Sequence, residues 1–146
     1  MNMKRQSQSG VAIVEFALIL PFLLMLAMLA TEFGRAVYRY NGMVQAVRDG
    51  VRYLSIQEPN SAAALSSARN LVVYGNPEGS GAPLDPGVEP AMVSAEWTST
   101  GSAPSVNIVT LRVSGYTFTP LVSAFFGASL GTITFSDISA TMRSPL

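Results

Sequence analysis

The stretch Ser9–Leu24, SGVAIVEFALILPFLL, decides how the rest of the chain is read. It opens an apolar run that contains one carboxylate, Glu15, and then no charged residue from Phe16 to Thr31. Val11 to Thr31 is 21 residues, and a helix of that length rises about 30 Å, the hydrocarbon thickness of a bilayer. An ionised group at the bilayer centre costs roughly 2.5–3.5 kcal/mol even on lenient insertion scales, which makes Glu15 a functional residue by expectation.

The chain has 146 residues, enough for one small domain besides this segment, and its composition divides accordingly. After Thr31 come most of the charged residues and much Gly, Pro, Ser and Thr. Nine basic and nine acidic side chains leave no net charge, so nothing points to nucleic acid as a partner. There is no cysteine and no histidine. Their absence removes disulfides, most zinc sites, and Ser-His or Cys-His catalysis, and no cofactor or metal is expected.

Ahead of the apolar run lies MNMKRQSQSG, a short polar leader carrying Lys4 and Arg5, like the basic region of an export signal. A secretory cleavage site after the run is poor, because Met28 stands two before Ala30 and Met25 two before Ala27 where small residues are needed. Four arginines, Arg35, Arg39, Arg48 and Arg52, follow the span, and a count of basic residues alone would orient it with that side in the cytoplasm. Glu32 and Asp49 are spaced to pair with them along a helix, which lowers the weight of that count. Cleavage before the run, after Gly10, is the alternative that accounts for both Gly10 and Glu15.

The basic leader, Gly10 and the VAIVEFALILPFLL that follows resemble the class III signal of type IV pilins and pseudopilins. More narrowly, GVAIVEFALILPFLLMLAMLATEFGRA followed by QAVRDGVRYLS resembles the TadE-like minor pseudopilins of the tight-adherence pilus machinery, over about Ser9 to Ser55. The resemblance implies cleavage between Gly10 and Val11 by a prepilin peptidase. It implies an inner-membrane protein that crosses once, N-terminus cytoplasmic and head periplasmic. Its partners would be other Tad pseudopilins, the Flp-type major pilin, the inner-membrane assembly platform and the peptidase. Cleavage would free an α-amine on Val11, largely protonated near pH 7. Glu15 of one subunit could pair with the Val11 amine of another, relieving two desolvated charges together and rewarding the correct axial offset. Pro21 breaks helices in water but is tolerated where neighbours satisfy the freed carbonyl, so a kink or local melting near Phe16–Ala17 is expected.

Beyond the span, Phe33, Val37, Tyr40, Val44, Val47, Val51 and Leu54 recur in steps of four and three, an apolar seam that predicts an amphipathic stalk over residues 32–57. Gly34, Gly42 and Gly50 each cost about 1 kcal/mol of helix propensity, which suggests close packing against another backbone. Residues 58–146 form the head. Within it, Ala62–Tyr74 reads as a second helix, capped by Asn60 or Ser61 and stopped by Gly75, with Ala64, Leu65, Ala68, Leu71 and Val72 inward. NPEGSGAPLDPGVEP is an exposed loop, and Glu78, Asp85 and Glu89 in it are solubilising charges. MVSAEWTS, SVNIVTLRVSGYTF and GTITFSDISATMR are three strands, the last with a bulge between Phe135 and Ile138. Phe125 and Phe126, in the apolar connection between the last two, either plug the sheet's open edge, the favoured reading, or form a partner or membrane surface.

The fold class expected is therefore α+β and pilin-like: a long N-terminal helix, half membrane and half stalk, with a second helix and a small three-stranded antiparallel sheet. The function expected is structural, in pilus assembly, with residues 1–10 as leader and 11–31 as the assembly helix. A permanently anchored periplasmic binding or adaptor module is the alternative. An enzyme using Glu78, Asp85 and Glu89 is disfavoured, because a flexible loop does not hold catalytic groups in place.

Overall fold

The computed structural model describes residues 9–101, 106–122, 124–125, 128–129 and 131–145. Helix α1, Ser9–Ser55, runs unbroken for 47 residues, Pro21 included, with no melted turn at Phe16–Ala17. At about 1.5 Å per residue it is roughly 70 Å long, far more than the head can cover. Its C-terminal half is the spine on which the head is built, packing against α2 and two strands.

Helix α2, Ala62–Tyr74, is set by its ends. The Ser61 hydroxyl accepts from the Ala64 amide at 3.3 Å, and Gly75, at φ 75°, closes the last turn by donating to the Leu71 carbonyl. Ala64, Ala68, Val72 and Val73 are buried, and Leu65 and Leu71 are half-buried beside them.

A 3-10 turn at Pro90–Met92 leads into β1, Val93–Thr100, which pairs antiparallel with β2, Val106–Val113. The chain then turns at Ser114–Tyr116, with Gly115 at φ 74°, into the short β3, Thr117–Phe118. The strands β4, Ala124–Phe125, and β5, Ala128–Ser129, form a small pair of their own. Then β6, Ile133–Thr134, pairs with β3, and β7, Ile138–Ser144, pairs with β2. The main sheet is antiparallel with the order β1-β2-β7. The break between β6 and β7 falls where a bulge is expected from the sequence, and the turn at Gly115 mirrors it, so the hairpin bends into a second two-stranded layer. The Phe135 amide spans the bend, donating to the Tyr116 carbonyl at 3.0 Å.

One face of the sheet is made of three cross-strand rows, Val93–Val113–Ile138, Ala95–Leu111–Ala140 and Trp97–Val109–Met142. Against it lie Val47, Val51 and Leu54 of α1 and Val72 and Val73 of α2, all essentially without exposure. Burying a Val or Leu side chain contributes about 1.5–3 kcal/mol, so the stalk half of α1 is part of the head's core rather than a linker to it. The Ser144 hydroxyl donates to the Ser55 carbonyl at 3.0 Å and ties the end of β7 to the end of α1.

The buried face of the stalk differs from the apolar seam at its N-terminal end. Val47, Val51 and Leu54 are buried and Tyr40 and Val44 are half-buried, but Phe33 and Val37 are 69% and 42% exposed. Glu32, Ala36, Met43 and Ala46 face the head instead. Above Tyr40 the inward face is therefore rotated by about one residue from the apolar seam.

Candidate functional site

The site has two parts, the bare apolar half of α1 and the polar junction where that half meets the head. From Gly10 to Leu20 every residue of α1 is exposed, including Val11 at 70%, Ile13 at 69% and Leu18 at 68%. Among the described residues this helix holds the stretch long and apolar enough to cross a membrane. A contiguous apolar surface of this size on an isolated chain marks a place for lipid or for other helices. Glu15 lines one shallow hollow with Gly10, Val11, Val14 and Leu18. Positions three and four apart share a helix face, so the Val11 and Glu15 side chains lie on the same side.

At the junction the first charged residue after the apolar run, Glu32, is only 7% exposed. It is tolerated there because it is fully engaged: Arg35 donates to both carboxylate oxygens, at 2.6 and 2.8 Å, and the Leu121 amide donates to Oε2 at 3.4 Å. One turn on, Arg39 approaches Asp85, with Nε 3.6 Å from Oδ2. Both arginines lie over the Phe118 ring, with guanidinium carbons 5.3 Å and 5.5 Å from its centroid. Cation–π contacts of this kind add about 0.5–2 kcal/mol each, more as water is excluded.

Asp85 is 5% exposed and is not a solubilising charge. Its Oδ1 accepts from the Gly87 amide at 2.8 Å, forming a tight turn. Gly87 is required there, since a Cβ would run into the Thr117 carbonyl of β3. The loop is further fixed by the Leu84 amide, which donates to the Val73 carbonyl at 2.7 Å, and by burial of Val88. Tyr116 lies fully buried beneath the loop, stacked on Phe135 at 5.3 Å between ring centres, with no hydrogen-bond partner for its hydroxyl. Burial first, and then the negative Asp85 carboxylate, push its phenol well above the ordinary range. Asp85 thus acts on Tyr116 through charge without completing a hydrogen bond to it.

The three stalk glycines separate into two kinds. A Cβ at Gly50 would sit 2.6 Å from a Leu111 methyl and 2.8 Å from a Val72 methyl, so that glycine serves the head's own packing. Gly34 and Gly42 face open space. Of the predicted pairs, Glu32–Arg35 forms, whereas Asp49 and Arg52 both stand exposed on the solvent face. Phe126 and the Phe125 side chain lie outside what the structure describes. The partners Arg39, Asp85, Phe118 and Leu121 went unnoticed in the sequence as a group. The local signals were arginines four apart just after the span and an Asp-Pro-Gly turn, neither of which names its partner.

No curated protein and no solved structure matches the chain significantly. A family model does: that described as TadE-like protein matches residues 10–52, which cover the apolar half of α1 and the stalk through Arg52. Over the helix that carries the site, the chain is thus similar to the TadE-like family.

Proposed function

We propose that the chain is a minor pseudopilin of the tight-adherence pilus machinery, whose work is assembly rather than chemistry. In this reading a prepilin peptidase removes residues 1–10, and the bare half of α1, Val11 to Thr31, is held first by lipid and then by neighbouring subunits. Glu15 pairs with the Val11 amine of an adjacent pseudopilin or Flp-type pilin, setting the axial offset. The head stays on the periplasmic side of the inner membrane, and the assembly platform acts on the membrane end.

The observation that supports this most is the exposure of every residue from Gly10 to Leu20, with Val11 and Glu15 on one face, inside the stretch that matches the TadE-like family. A protein that acted through its head alone would need a hydrophobic anchor but no carboxylate within it.

The test is the mature N-terminus, read by mass spectrometry of protein purified from membranes with and without the cognate peptidase. A chain that begins at Val11 only when the peptidase is present supports the pseudopilin reading. A chain that keeps its leader in both would instead make this a permanently anchored binding or adaptor module.

A further inference from the structure

The two described arms of the β3–β6 connection, next to β3 and next to β6, lie beside the apolar end of α1. On its first arm, the Leu121 amide donates to Glu32, the residue that directly follows the uncharged run ending at Thr31. On its second arm, Gly131 and Ile133 line a groove of about 290 Å³ with Leu29, Phe33, Phe118, Pro120 and the Arg35-paired Glu32. Leu29 belongs to the apolar run itself. Both arms are therefore level with the last turn of the segment that is long enough to cross a bilayer.

What these arms present is apolar. Leu121 is 77% exposed and Ile133 is 42% exposed. One turn further from the apolar run, Arg35 and Arg39 line a second groove with Thr117, Thr119 and Leu121. The order along the axis is thus aliphatic, then guanidinium with hydroxyls, which is the order of acyl chain and headgroup at a membrane surface. The two arginines already face Glu32 and Asp85, so the groove offers spare N–H donors rather than net positive charge.

We propose that the Leu121–Ile133 face of the head seats in the bilayer that α1 crosses, a second and peripheral membrane contact that fixes the head against the membrane plane. The proposal rests on the single-pass reading of α1 and names a lipid surface, of neutral or anionic headgroup alike, as the occupant. The depth expected is that of other interfacial apolar faces, such as those of amphipathic helices, about 5–10 Å at the boundary between headgroups and acyl chains. The consequence is that extraction of the subunit must peel the head from the membrane as well as withdraw the helix.

The experiment uses the full chain in phosphatidylcholine vesicles whose acyl chains carry bromine at either a shallow or a deep position. Trp97 is the only tryptophan, and its indole nitrogen has no partner, so Trp97→Phe gives a silent background. Leu121→Trp and Ile133→Trp then report on the proposed face, and Phe22→Trp on the middle of the apolar run. Thermal melting of each variant alongside the Trp97→Phe parent confirms that the head is intact. The expected result is quenching of the Leu121→Trp and Ile133→Trp variants by shallow bromine more than by deep, and of Phe22→Trp by deep more than by shallow. Quenching of Phe22→Trp alone overturns the proposal and leaves the anchor standing. No quenching in any variant overturns both. Emission from Leu121→Trp that ignores bromine but shifts to the blue as the protein-to-lipid ratio rises also overturns the proposal, and assigns the face to a second copy of the chain.

Discussion

Arg39 of α1 meets Asp85 of the loop after α2 with Nε 3.6 Å from Oδ2, and this contact ties the head to the helix just beyond its apolar half. Both partners are held from elsewhere. Arg39 lies over the Phe118 ring, and the Asp85 carboxylate is turned by the Gly87 amide. A force on the apolar end of α1 therefore reaches the head through side chains, not only through the helix.

Asp85→Ala removes the arginine's partner and the turn's acceptor together. Loss of a buried, engaged carboxylate that leaves its partners behind costs about 1–3 kcal/mol. The expected outcome is a lower thermal midpoint for the detergent-solubilised protein. Asp85→Asn keeps the acceptor for Gly87 and loses only the charge, so its midpoint should fall between those of the parent and the alanine variant.

Tyr116 gives the fold an alkaline limit. Its phenol is raised in the folded state by burial and by the Asp85 charge, whereas in the unfolded chain it ionises near its ordinary value of about 10. The unfolded state then releases a proton that the folded state keeps. The resulting stability is fully present below pH 10 and declines as pH rises above it, toward the raised folded value. Melting curves between pH 8 and pH 11 should show that decline in the parent and a shallower one in Tyr116→Phe. At neutral pH the phenylalanine variant should be as stable as the parent or slightly more so, since the hydroxyl it removes has no partner.

The glycine substitutions should diverge in sign. Gly50→Ala gains about 1 kcal/mol of helix propensity but forces a methyl against Leu111 and Val72 in a filled core, where overpacking costs about 1–3 kcal/mol. Its net effect should be a loss of stability. Gly34→Ala and Gly42→Ala meet nothing and should stabilise the isolated chain by up to about 1 kcal/mol. Chemical unfolding of the three variants side by side tests this, and equal effects at all three would contradict the packing described.

Much of this architecture was legible because its signals are local. Ser61 and Gly75 bound α2 through hydrogen bonds within a single turn, and the alternation of Val93, Ala95 and Trp97 requires only a strand's period of two. The stalk seam was legible only in part. Apolar periodicity says that a residue avoids water but not what replaces the water, so Phe33 and Val37 look the same as Val47 and Val51 although they face away from the head. Glu32 looks like a surface charge because its burial depends on the Leu121 amide, 89 residues away. Asp85 was misread for the same reason: a loop rich in Gly and Pro resembles a solvated one until Arg39 and Gly87 are found around its carboxylate.

Val37 and Tyr38 sit on the side of the stalk that the head leaves open, 42% and 80% exposed, beside Gly34 and Gly42. Val37→Ser and Tyr38→Ser should each change stability by less than about 0.5 kcal/mol, as exposed substitutions do. If neighbouring subunits pack on that side, the same changes will lower recovery of the chain in pilus preparations while its level in the membrane stays constant. Unchanged recovery would confine the assembly surface to the apolar half of α1.

Glu15→Gln isolates the charge within that half. The amide keeps the size of the side chain, lowers the cost of placing it in hydrocarbon and retains a hydrogen-bond acceptor, so insertion into the membrane should be preserved or improved. If Val11 carries a free amine after the proposed cleavage, what the variant loses is the ability to offset that protonated amine on a neighbour. On that reading incorporation into pili should fall, while the mature mass should be the same as the parent's apart from the substitution. Quantitative recovery from sheared pili and from membranes of the same cells separates these steps. If incorporation is equal for Glu15→Gln and the parent, helix packing alone sets the offset and the pairing model is wrong. If incorporation falls and Glu15→Asp restores part of it, the carboxylate's charge is the determinant, because aspartate keeps the charge on a shorter arm.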